Sequence, residues 1–145
     1  MPSQLTATEI SDFLDREFPQ IHAGGRVFGV ASVAENTVTL NFTPNDSHLR
    51  PGGTVSGPSL FALADVCAYA TLLATVGIDA GRLALTSNLN ISFLHRPAPV
   101  PLLGVGRMLK TGRLLSVMDI GIQRADTGQL IAQATATYAI PPGKM

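Results

Sequence analysis

From Ser56 to Gly77 the chain reads SGPSLFALADVCAYATLLATVG, with a single charged side chain, Asp65, among residues that are otherwise apolar or small. Ser56 has the hydroxyl of a helix N-cap, able to accept from the N–H of Ser59, and Pro58 stands in the first turn, where a missing N–H costs little. The spacing predicts a helix from Pro58 to about Val76. A helix that is apolar all round must be covered on most of its surface. A bilayer is a poor cover here, because Asp65 lies inside the run, Gly77 interrupts it and no Lys or Arg brackets it closely. The cover must be protein.

The remaining chain offers strands for that purpose. RVFGVASVAENTVTLNFTPN alternates on both sides of Glu35 and Asn36, with Val38, Leu40 and Phe42 on one face and Thr37, Thr39, Asn41 and Thr43 on the other, as in a hairpin. Upstream, Thr6 and Glu9 have capping-box spacing, and Ile10, Phe13, Leu14 and Phe18 share a helical face until Pro19. NDSHLRPGGT is dense in turn residues and leads into the apolar helix. After Gly81, alternation sets Leu83, Leu85, Leu89, Ile91 and Phe93 on one face, opposite Thr86, Asn88, Asn90 and Ser92. PAPVP breaks the pattern, and three more strands follow, joined at Thr111-Gly112 and at Asp126-Thr127-Gly128. In these, Met118, Ile120 and Ile122 point inward, as do Leu130, Ala132, Ala134, Ala136 and Tyr138. The prediction is one α+β domain over residues 1–145: a short helix, two strands, the wrapped helix, then four strands as an antiparallel meander.

Composition narrows the partners. Ten basic and ten acidic residues give no net charge, which argues against nucleic acid and against a polybasic membrane surface. Apolar residues make up 46% and charged ones 14%, little polar cover for 145 residues, so subunit interfaces are expected. One cysteine, Cys67, allows no internal disulfide and no cysteine metal cluster; it reads as a small core hydrophobe in a cytoplasmic protein. The start, MPSQLTATEISDF, lacks the basic and apolar run of a signal peptide.

Asp65 remains to be explained. An unpaired carboxylate in an apolar interior costs several kcal/mol, and no cation lies within a helical turn of it. Either Thr or Asn side chains on the strands satisfy it, or it is a reactive base or nucleophile kept in an apolar pocket. Gly57 offers a bare backbone N–H at the positive end of the helix, where a carbonyl oxygen can be polarised. Gly57 and Asp65 are eight residues apart, roughly 12 Å along one helix. They cannot both touch one carbonyl group, so joint action requires Asp65 from a neighbouring subunit across a two-fold axis.

GTVSGPSLFALAD, LTSNLNISFLHRPAP, KTGRLLSVMDIGI and QLIAQATATYAI, in this order, resemble the small hotdog-fold thioesterases of the phenylacetate-pathway (PaaI) type across about residues 25 to 141. The resemblance implies an antiparallel sheet around a central helix and hydrolysis of acyl-CoA thioesters at sites between two subunits. It assigns Gly57 to polarise the thioester carbonyl and Asp65 to act as nucleophile or as base for water. Ser56 stands where the family motif has His, and Pro58 where it has a second Gly. The candidate catalytic residues are Asp65, Gly57 and Ser56, with Ser56 better explained as a cap than as a nucleophile. Candidate substrate contacts are His48, a possible substitute for the missing histidine, Pro58, Ser59, Asn88, Asn90, and the cations Lys110 and Arg113 for coenzyme A phosphates. Arg96 is a lesser cation candidate, His22 and His95 read as structural or surface residues, and Tyr69 reads as packing. No cofactor or metal is expected, coenzyme A entering only as part of the substrate, and the assembly is a homodimer or a dimer of dimers. Two other readings stand beside hydrolysis: an acyl-CoA-binding module without turnover, and an enoyl-CoA hydratase or dehydratase using His48.

Overall fold

The computed structural model describes residues 5–141. In it the Ser56 cap opens a 20-residue helix, α2 (Gly57–Val76), with the Ser56 side chain accepting from the Ser59 N–H and Gly77, at φ 90°, ending it. Twelve of these residues are buried, and they point in every direction around the helix axis, which is possible only inside a wrap. The wrap is one antiparallel sheet built from β1 (Phe28–Ala34), β2 (Thr37–Phe42), β3 (Leu85–Phe93), β4 (Leu102–Thr111), β5 (Leu115–Arg124) and β6 (Leu130–Ala139). Its strand order is β1-β2-β4-β5-β6-β3. A helix α1 (Ala7–Glu17) precedes the strands, with both capping-box bonds made between Thr6 and Glu9 and with Ile10, Phe13 and Leu14 buried. A one-turn helix, α3 (Ile78–Gly81), follows α2.

The expected element order and the helix wrapped by an antiparallel sheet are both observed. The four later strands do not form a simple meander, however. β4, β5 and β6 do, but β3 pairs with β6 at the far edge, and β4 pairs with β2. The proline-rich link between β3 and β4 lacks the N–H groups and turn geometry of a tight hairpin, so it crosses the end of the sheet instead.

Two register shifts overturn parts of the expected face pattern. Between Thr86 and Asn88 the pairing with β6 skips one residue, so Ser87 is a bulge. Leu89, Ile91 and Phe93 pair with the inner-face residues Ala136, Ala134 and Ala132, but before the bulge the phase reverses. Thr86 pairs with the buried Tyr138 and faces inward, whereas Leu85 pairs with Ala139 and is 69% exposed. A second shift between Ile122 and Gln123 turns Leu130 outward and buries Ile131 in its place. Both shifts have the same cause: one extra residue in a period-two pattern exchanges every side chain beyond it between the faces.

The helix approaches the middle of the sheet through two glycines of β4. A Cβ on Gly106 would lie 2.2 Å from Thr71 Oγ1, and one on Gly104 would lie 3.3 Å from Cys67 and Leu63. α2 is the one helix among the described residues long and apolar enough to cross a membrane, yet most of it is buried inside the protein. Burial pushes the Cys67 thiol up to about 12, as befits a small core side chain. Gly106→Ala is expected to lower unfolding stability by about 1–3 kcal/mol through overpacking against Thr71, read from urea denaturation; Gly29→Ala, with open space around its Cβ, serves as the control.

Candidate active site

Asp65 sits on the third turn of α2 and is only partly buried. Its Oδ1 accepts hydrogen bonds from Thr86 Oγ1 at 2.8 Å and from Tyr138 Oη at 2.7 Å. Tyr138 Oη also lies 3.0 Å from the Asp65 carbonyl oxygen. Oδ2 has no hydrogen-bond partner among the described residues. The carboxylate is therefore both satisfied and available, one oxygen being held by two hydroxyls while the other is left for a ligand.

The surroundings agree with that division. Asp65 borders two cavities at once, one of about 320 Å³ that includes Phe13, Tyr69 and Leu83. The other, of about 460 Å³, runs past Ile21, Phe28, Ala62 and Val66 towards His48, Pro58 and Ser59. Phe18 and Tyr138 border both cavities. The Tyr138 ring stacks on Tyr69 at 5.9 Å, and Tyr69 Oη donates to the Arg82 carbonyl at 2.7 Å. These contacts lock the Tyr138 hydroxyl in place against Asp65.

Gly57 opens elsewhere. Ser59 donates its N–H to Ser56 Oγ, Leu60 to the Ser56 carbonyl, and Pro58 has none. The Gly57 N–H is thus the donor left at the start of α2 among the described residues. It borders a separate cleft of about 630 Å³ that also includes Arg50, Phe93 and Arg96. Gly57 and Asp65 border no common cavity within one protomer, in keeping with the distance along the helix.

The other candidates fall into three groups. Ser56 caps the helix, with its own proton donated to Ser59 Oγ at 2.9 Å, so that hydroxyl is engaged. His48 lines the second cavity, with Nδ1 accepting from the Asn45 N–H at 2.9 Å and the ring edge-on to Phe42. That bond places the proton of the neutral ring on Nε2. Asn88 and Asn90 pair with Thr137 and Thr135 on the outer face of the sheet, and Lys110 and Arg113 are exposed around the β4–β5 turn; none of the four borders a cavity that Asp65 shares. His22 binds Asp15 at 2.8 Å, and His95 binds the Leu130 carbonyl at 2.8 Å.

Sequence reasoning missed Thr86, which alternation assigned to the wet face. It placed Tyr138 inward without seeing its bond to Asp65. The available signal was chemical: a carboxylate in an apolar wrap needs donors, and hydroxyls on the facing strands are the nearest supply.

The fold is a hotdog-type wrap, with a carboxylate at a cavity junction and, at the start of the wrapped helix, an N–H unpaired among the described residues. Residues 52–131 match the sequence profile of the thioesterase superfamily. A candidate thioesterase from Silicibacter sp. TM1040 is 41% identical with a TM-score of 0.85, over 97% of this chain and 94% of that one. A candidate thioesterase from Ralstonia eutropha JMP134, described as related to phenylacetic acid degradation, is 28% identical with a TM-score of 0.71, over 78% of this chain and 84% of that one. The Escherichia coli PaaI protein of the phenylacetic acid degradation operon shares the fold at 18% identity and a TM-score of 0.74, over 92% of this chain and 91% of that one. No curated protein matches the chain in sequence. The chain belongs to the thioesterase superfamily, and the fold and its relatives support an enzyme of thioester hydrolysis in general.

Burial, and after it the Asp65 charge, raise the Tyr138 phenol above the ordinary tyrosine range. Above about pH 10 the unfolded chain releases this proton while the folded chain keeps it, so stability present below pH 10 falls by about 1.4 kcal/mol per pH unit from this group. Tyr138→Phe should therefore show a flatter loss of stability above pH 10 in urea titrations. Parallel curves for the two proteins would contradict the buried phenol.

Proposed function

We propose that the protein is a cytoplasmic acyl-CoA thioesterase that works as a homodimer or a dimer of dimers, with Asp65 of one protomer and the Gly57 N–H of a second acting on one thioester. The observation that carries this reading is the Asp65 carboxylate at the junction of two cavities, with Oδ1 fixed by Thr86 and Tyr138 and Oδ2 without a partner among the described residues. Oδ2 attacks the carbonyl carbon or takes the proton of an attacking water. Either route places negative charge on the carbonyl oxygen, which the Gly57 N–H at the positive end of α2 receives. On the base route the C–S bond breaks as Asp65 passes the water's proton to the departing sulfur, giving coenzyme A and the free acid. On the nucleophile route the thiolate leaves and takes a proton from solvent, and a water then hydrolyses the acyl–Asp65 anhydride to release the acid and restore the carboxylate.

Thr86 and Tyr138 act as positioning residues, holding the reactive oxygen towards the ligand. Arg50 and Arg96, beside Gly57, are better situated for coenzyme A phosphates than Lys110 and Arg113. Among the described residues no group of three His, Cys, Asp or Glu side chains could hold a metal ion, and the chemistry proposed uses none.

A thiol-release assay over a panel of acyl-CoAs tests the reading. Asp65→Asn should retain the fold, because the amide oxygen still accepts both hydroxyls, and should lose about 10²–10⁴ in kcat. Thr86→Val should lose about tenfold in kcat with little change in KM, and Thr86→Ser should restore it. Full turnover by Asp65→Asn would remove the carboxylate from the chemistry. Tight acyl-CoA binding without thiol release would favour the binding module. His48 lines the same cavity as Asp65, so loss of enoyl absorbance from a crotonyl thioester without free thiol would assign hydration instead.

A further inference from the structure

We propose that the acyl group of the substrate lies in the cavity of about 320 Å³ bordered by Phe13, Tyr69 and Leu83, and that the Glu17–Arg82 ion pair at its far end limits acyl length. This inference rests on the acyl-CoA thioesterase reading and specifies which substrates that site accepts.

The cavity has a direction. Asp65, Thr86 and Tyr138 form one end. One turn further along α2, the Tyr69 ring stacks on Tyr138 and its hydroxyl reaches the Arg82 carbonyl, so Tyr69 spans the distance from the acid to Arg82. Arg82 follows α3, and its guanidinium bonds the carboxylate of Glu17, the last residue of α1, from 65 positions away in the chain. The walls between are Phe13, Phe18, Leu83, Ala84 and Leu85. Phe18 stands edge-on to Tyr69 at 5.9 Å and separates this cavity from its neighbour.

Chemistry assigns the two arms of the thioester. Between the acid and the ion pair the walls are Phe13, Phe18, Leu83, Ala84 and Leu85, and the Tyr69 and Tyr138 hydroxyls are committed to Arg82 and Asp65, so this stretch suits a hydrocarbon acyl group. The second cavity, mostly apolar along Ile21, Phe28, Ala62 and Val66, also carries Gln20, His48 and Ser59, whose polar groups can meet the amides of a pantetheine arm. With the acyl group directed away from Asp65 along Tyr69, its terminus meets Glu17 and Arg82. Their side chains are 34% and 43% exposed, so the wall lies at the solvent boundary, where an ion pair contributes little to folding. The pair can therefore be removed with little loss of fold. A chain long enough to reach it must press apolar methylenes against paired charges, which is unfavourable.

The test is a chain-length profile with butanoyl-, octanoyl-, dodecanoyl- and hexadecanoyl-CoA on wild type, Glu17→Ala, Arg82→Ala and Arg82→Lys. The dodecanoyl-to-butanoyl ratio of kcat/KM should rise about tenfold or more in the two alanine variants, the order of one well-accommodated methylene or more. Arg82→Lys, which keeps the pair, should retain the wild-type ratio. An unchanged ratio, or an equal fall for every substrate, would overturn the wall and leave the pair a structural role. The same ratio is read as affinity by calorimetry in the Asp65→Asn background, so the wall is tested even without turnover. A shifted affinity ratio without thiol release in wild type would support the wall and overturn hydrolysis. Absence of acyl-CoA binding altogether would overturn both.

Discussion

An apolar helix with no polar side leaves the chain one solution in water, which is to surround the helix with its own sheet. Leu63, Leu72 and Leu73 are all fully buried, each contributing about 1.5–3 kcal/mol on the usual scale for an apolar side chain. The sheet can close this tightly because β4 presents Gly104 and Gly106 where α2 comes nearest. Everything else about the site is a consequence of that wrap. A carboxylate on such a helix is forced towards the interior, and the strands that enclose it must supply donors or the fold loses several kcal/mol. Thr86 and Tyr138 supply them, from β3 and β6.

The same wrap separates the two ends of the site. The start of α2 has its first-turn donors accounted for, by the Ser56 cap and by Pro58, except for the Gly57 N–H. That donor opens into one cleft while Asp65 opens into two others. A single rigid helix keeps them apart by its own rise per residue. The proposed catalytic site uses both and therefore requires a second copy of the chain, and the sparse charge of the sequence is compatible with such an interface.

What could be read in advance follows from the kind of signal involved. The cap at Ser56, the stop at Gly77, the capping box of Thr6 and Glu9, and the inward Val38, Leu40 and Phe42 are local or strictly periodic, and the structure has them as expected. Asp65 stood out because a lone charge in an apolar run has few physical explanations. The bulges at Ser87 and Ile131 were illegible, because each depends on pairing with a distant strand, and each shifts the side chains beyond it to the opposite face. Thr86 was lost to the reading for that reason alone. The far-edge position of β3 is likewise a matter of which strands meet, which alternation cannot specify.

The most direct measurement of a site shared between protomers is complementation between two defective chains. Asp65→Asn removes the acid, and Gly57→Pro removes the backbone donor at a helix position that tolerates proline, after a Ser56 whose ψ of 155° accommodates it. Each protein alone should release almost no thiol. Mixed in equal amounts and allowed to exchange subunits, they should recover about a quarter of the wild-type rate, since half of the dimers are mixed and each of those has one intact site. A mixture as inactive as its parts, with mixed dimers demonstrably present, would contradict a site built from Asp65 of one chain and Gly57 of another.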